Sequence, residues 1–166
     1  MRKNRFTNFK AWLVLTLVIV AISGCIKRQG TGKPVTPFEQ VMVWNDALAQ
    51  TNNSVAKGII AVSSGTSPLV MPDKAAVILL QQRNIATADQ QLTIIFKTGQ
   101  AGATLQAAQI QALLSQIKAA SLVLVDSGAI GVKNPASKQT FDADIQAIGD
   151  LITNITSGLK SAGVIQ

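Results

Sequence analysis

The chain has 166 residues, with no histidine, no tyrosine and a single cysteine, Cys25. Without histidine, neither a Ser-His-Asp nor a Cys-His arrangement can be built within it. A lone cysteine allows no intrachain disulfide. Zinc or haem ligation, which draws on histidine or cysteine, has nothing to use beyond Cys25. Aromatic residues are scarce after Cys25, amounting to Phe38, Trp44, Phe96 and Phe141. A basic surplus is missing from most of the chain as well. The net charge of +7 comes from Arg2, Lys3, Arg5, Lys10, Lys27, Arg28 and Lys33, all ahead of Pro34. From Pro34 onward eight Lys/Arg balance eight Asp/Glu, which leaves no excess to neutralise nucleic-acid phosphates.

The remaining polar motifs carry little chemistry. Di-iron bundles use Glu-x-x-His pairs, and none occurs. Ser54 and Lys57, and Ser115 and Lys118, stand one helical turn apart, a spacing that solvated helix faces share. Asp142 and Asp144 are two apart, so they point to different sides of a helix and read as favourable first-turn charge. The run 128–133 has glycines and a lysine without phosphate-loop spacing, and reads as a helix–helix loop. The expectation is a non-enzyme with no catalytic residue, no cofactor and no metal site.

What is present begins at the N-terminus. Arg2, Lys3, Arg5 and Lys10 precede an apolar run over 11–22, then Ser23-Gly24-Cys25. Positive charge stays on the cytoplasmic side during insertion. A run of twelve suits a signal-peptide core and falls short of the roughly 20 residues that span a bilayer. Ile22-Ser23-Gly24-Cys25 resembles the lipobox of bacterial prolipoproteins, with Ile22 where leucine is usual. The resemblance implies cleavage between Gly24 and Cys25, diacylglycerol on the Cys25 sulfur and often a further acyl chain, such as palmitate, on the new amine. Two or more chains anchor stably, at roughly 0.8 kcal/mol per buried CH₂. Ile26 rather than aspartate follows Cys25, which resembles lipoproteins sent to the outer membrane of Gram-negative bacteria. Elsewhere the expected location is the outer face of the cell membrane. Residues 25–35 are polar and Gly-rich and read as a flexible tether.

Residues 36–166 show helical periodicity. Thr36-Pro37-Phe38-Glu39 is a helix start with a capping box, followed by Val41, Trp44, Leu48, Val55, Ile59 and Val62. The polar run 50–54 suggests a weak turn inside it. A second helix is predicted from Pro72-Asp73, with Val77, Leu80, Ala88, Leu92 and Ile95 inward and a stop at Lys97-Thr98-Gly99. A third is predicted from near Thr104 to Ser127-Gly128, facing inward with Leu105, Ala108, Ala112, Leu113, Ile117 and Ala120. The fourth starts at Asn134-Pro135 and carries Phe141, Ile145, Ile148, Ile152, Ile155 and Leu159. Four such helices joined by short loops predict an all-α, antiparallel four-helix bundle after the signal peptide (1–24) and tether.

Two function classes follow. One is a non-enzymatic interaction or structural module, held at the membrane by its lipid anchor and contacting another envelope protein or itself through an exposed apolar patch. The other is a binder of a small apolar ligand or lipid, in a cavity lined by Ala108, Ala112 and Gly149. Asn52, Asn53, Arg83, Asn84 and Gln91 lie mid-helix and would line a polar cavity if they faced inward. Trp44 reads as a core residue.

Overall fold

Prolines open three of the four helices, because the fixed φ of proline suits a first helical position whose N–H has no intrahelical partner. The computed structural model describes residues 35–63 and 70–166. The signal-like run, Gly24, Cys25 and the tether up to residue 34 lie outside the described residues. Helix α1 is Pro37–Ser63, α2 is Pro72–Gln100, α3 is Ala107–Gly131 and α4 is Pro135–Ser161. No strand occurs among the described residues; the one sheet-like contact is an isolated bridge between Val70 and Val132. The domain is all-α.

Local chemistry explains the ends. The Asn134 side chain accepts from the Ser137 amide at 3.0 Å, capping α4 ahead of Pro135. At the other end of α4 the Val164 amide donates to the Leu159 carbonyl at 2.9 Å and the Gly163 amide to that of Lys160 at 2.9 Å. Gly163 stands there at φ 69°, the left-handed geometry of a Schellman ending. The same device closes α2, with Gly102 at φ 96° and the Ala103 amide bonded to the Thr98 carbonyl. The expected stop at Gly99 is therefore corrected. That glycine lies inside α2, where Leu105 fills the space a Cβ would need.

Other expectations shift too. Residues 50–54 form no turn; α1 runs through them, and Thr51 returns its hydroxyl to the Ala47 carbonyl at 2.9 Å. Helix α3 runs on to Gly131, so the loop expected over 128–133 shrinks to Val132–Asn134. The inward face of α2 is displaced from the expected one. Val77 and Leu80 are exposed, Ala88 and Leu92 are buried as expected, and the rest of the buried line is Ala75, Ile78, Gln82, Ile85, Asp89 and Phe96. On α3, Ala108 and Ala112 are exposed while Ile110, Leu113, Leu114, Ile117, Ala120 and Leu124 are buried. The α4 stripe is buried as expected at all six positions.

The helices form one compact unit, Pro37–Gln166, in which α1 and α3 each pack against both α2 and α4. The α3/α4 seam is the loosest of the four. Along the α1/α2 seam, Phe38 meets Phe96 edge to face at 5.8 Å, Asn45 meets Thr93, and Asn52 meets Gln82. The α1/α4 seam is tight at Gly158, where a Cβ would stand 2.6 Å from Val41 Cγ2 and 2.7 Å from Trp44 Cζ3. Trp44 is half-buried against the core.

Candidate functional site

The loose α3/α4 seam opens into a groove of about 870 Å³. Much of its lining is short or absent side chains: Gly149, Thr153, Thr156 and Ser157 from α4, and Ser121 from α3. Nothing lies within 4 Å of the position of a Cβ on Gly149, so the helices stand apart there. Leu122, Val125, Ile145 and Ile152 give the groove an apolar wall. Its α4 lining runs from Lys138 to Lys160, roughly 33 Å at 1.5 Å per residue.

Charge sits on the rim. Lys138 donates to Asp142 at 2.6 Å, one turn along α4. Lys118, Lys160 and Asp150 make no ion pair among the described residues, leaving a slight positive excess. Asp144 of the same helix, half-buried and outside the groove's lining, has its carboxyl pushed up to about 6 by burial. Ser115 does not pair with Lys118; its hydroxyl donates to the Gln111 carbonyl of its own helix at 2.8 Å.

The outward side of α3 carries further exposed apolar residues, interspersed with Gln109, Gln111, Ser115 and Gln116. Leu122 is 59% exposed and Val125 49% exposed, and Val123, Ala108, Ala112 and Ala119 are exposed as well. Lys118 and Asp126 are the only charges on this helix. The stretch Ala107–Ser127 is long and apolar enough to cross a membrane by length and composition. Here its inner side is part of the core through Ile110, Ile117 and Leu124.

The cavity expected from Ala108, Ala112 and Gly149 is not assembled. Gly149 lines the groove, while both alanines are exposed on α3 outside its lining. Of the mid-helix polar residues singled out from sequence, only Asn52 is buried; Asn53, Arg83, Asn84 and Gln91 are exposed. Sequence reasoning missed Asn45, Gln82 and Asp89, which are buried beside it. The signal that could have found them is spacing. Asn45 and Asn52 are seven apart on α1, as are Gln82 and Asp89 on α2, each continuing its helix's core stripe.

This polar seam is partly satisfied. The Asn45 amide donates to Thr93 Oγ1 at 2.8 Å, and the Asn52 amide donates to the Gln82 carbonyl at 2.9 Å. Asn45 Oδ1, Asn52 Oδ1, Asp89 Oδ1 and both polar atoms of the Gln82 side chain have no hydrogen-bond partner among the described residues. Burial, reinforced by the Asp46 carboxylate, pushes the Asp89 carboxyl up to about 7. No group of three or more His, Cys, Asp or Glu residues is placed to hold a metal ion among the described residues. Comparison with protein-family models, curated proteins and solved structures finds no match to this chain.

Proposed function

We propose that the chain is a bacterial envelope lipoprotein, anchored through acyl chains on Cys25, whose helical domain is a non-enzymatic interaction module. The observation that carries the interaction reading is the cluster of exposed Leu122, Val123 and Val125 on α3, of which Leu122 and Val125 line the elongated α3/α4 groove. Isolated apolar residues on a surface need no explanation, but a contiguous patch beside a groove marks a contact site. The groove's length suits an amphipathic helix better than a compact small molecule. Its rim, with Lys118 and Lys160 in no ion pair among the described residues, favours a helix that flanks its apolar stripe with carboxylates. Such a helix would come from another envelope protein or from a second copy.

The paired contacts of α1 and α2 run in opposite directions along the chain, from Phe38–Phe96 to Asn45–Thr93 to Asn52–Gln82. They support an antiparallel four-helix bundle as the architecture that presents this surface. The anchor reading rests on Ile22-Ser23-Gly24-Cys25, and Ile26 favours the periplasmic face of the outer membrane if the cell is Gram-negative.

A photoreactive amino acid at position 122, in the full-length protein in its own membranes, tests the reading. The expected result is a discrete protein adduct that is lost when Gly149→Trp fills the groove. Crosslinks to lipid alone, or a protein adduct untouched by that substitution, would remove the groove from the interaction.

A further inference from the structure

The α1/α2 seam holds a second recess, of about 400 Å³, that shares no lining residue with the α3/α4 groove. Its walls are Ala49, Ala56 and Ala86, and its inner end is formed by Asn52, Gln82 and Asp89. Those three polar residues are each at least nine-tenths buried. Between them they present three oxygens without a hydrogen-bond partner, Asn52 Oδ1, Gln82 Oε1 and Asp89 Oδ1, against one unpaired amide, Gln82 Nε2. An unmet buried polar group costs about 1–3 kcal/mol, so folded proteins leave few of them. Three acceptors beside one recess therefore point to something that donates.

We propose that this recess binds a small primary ammonium compound, its three N–H bonds directed at Asn52, Gln82 and Asp89 and a short alkyl chain lying against the three alanines. An ammonium group has three donors and no acceptor, which matches the surplus of oxygens. The three alanines offer apolar cover of a few carbons' length, and the exposed Asn53 and Gln90 complete the lining. Two other charged groups bear on the site. Asp46 of α1 adds negative potential at Asp89, and Arg83 of α2 lines the recess with an exposed guanidinium. A bound cation stabilises the ionised Asp89 carboxylate and opposes the effects of burial and of Asp46, so binding expels that proton and strengthens as pH rises through about 7.

Isothermal titration calorimetry on the full-length lipidated protein in mild detergent, with n-butylammonium chloride as probe and n-butanol as neutral comparator, tests this site independently of the groove. Saturable binding of the ammonium alone is expected, with the Asn52 and Gln82 side-chain amide resonances moving in parallel. Affinity should differ by about tenfold between one pH unit above and one below pH 7, following the ionised fraction of Asp89. Asp89→Asn should lower it at least as much while circular dichroism stays helical; if that variant does not fold, the wild-type pH comparison carries the test. A recess occupied by water only, seen as no saturable heat, would overturn the proposal. So would equal binding of n-butanol, or unchanged ammonium affinity in a folded Asp89→Asn protein.

Discussion

Gly158 is the position where the packing argument can be made to fail most clearly. An alanine there would bring its methyl to 2.6 Å from Val41 Cγ2 and 2.7 Å from Trp44 Cζ3, where carbon atoms prefer about 3.5–4.0 Å. Val41 is fully buried and β-branched, so its methyl has no free rotamer to enter. The Trp44 ring is rigid, so relief requires α1 and α4 to part by about an ångström. Overpacking of this kind costs about 1–3 kcal/mol, and the better helix propensity of alanine returns about 1 kcal/mol. The net expectation for Gly158→Ala is a loss of about 1 kcal/mol, or roughly 3–5 °C in Tm for a domain of this size. Gly149→Ala supplies the control. It lies in the same helix with nothing within 4 Å of its Cβ position, so only the propensity gain remains. It should raise stability by about 0.5–1 kcal/mol. Thermal melts of both variants by circular dichroism read the difference. A rise in Tm for Gly158→Ala equal to that for Gly149→Ala would refute the close approach of α1 and α4.

Other outcomes follow from burial, charge and the N-terminal motif. Ile148 is 0% exposed, so Ile148→Asp buries an unpaired charge and should unfold the domain at room temperature; a wild-type melt would mean the α4 register is wrong. Asp89 and Asp144 have folded-state proton affinities above their unfolded value of 3.8. The native state then holds protons that the unfolded state has released, so stability should fall as pH rises from about 4 to about 7 and level off above that. Asp89→Asn should flatten most of that slope in urea melts across the range, and an unchanged slope would remove Asp89 as its source. Cys25→Ser should leave the precursor uncleaved and without acyl label in metabolic labelling; unchanged acylation would remove the lipid anchor. Leu122→Glu with Val125→Glu should keep the folding stability within about 0.5 kcal/mol of wild type in urea melts, because both side chains are largely exposed, and a large drop would show that they belong to the core.

Sequence by itself determined the four helices of the described residues, the proline-led starts and six of the eight buried positions of α4, with Leu151 and Gly158 left out. Phe141, Ile145, Ile148, Ile152, Ile155 and Leu159 recur at a spacing only a helix can bury on one side, and no polar residue interrupts them. The same reasoning placed Ala88 and Leu92 of α2 correctly but misplaced its first half, because Gln82 and Asp89 occupy core positions on that helix. Following apolar residues alone led to Val77 and Leu80, which face water. Which polar residues would be tolerated inside depends on what the neighbouring helix offers. Only the packed fold set Asn45 against Thr93 and Asn52 against the Gln82 backbone. The α3/α4 groove was equally invisible, since a gap arises where Gly149, Thr153 and Ser157 meet a neighbour that does not fill their space. Periodicity reports which side of one helix seeks burial; distances between helices come from side chains far apart in sequence, and those only the tertiary structure brings together.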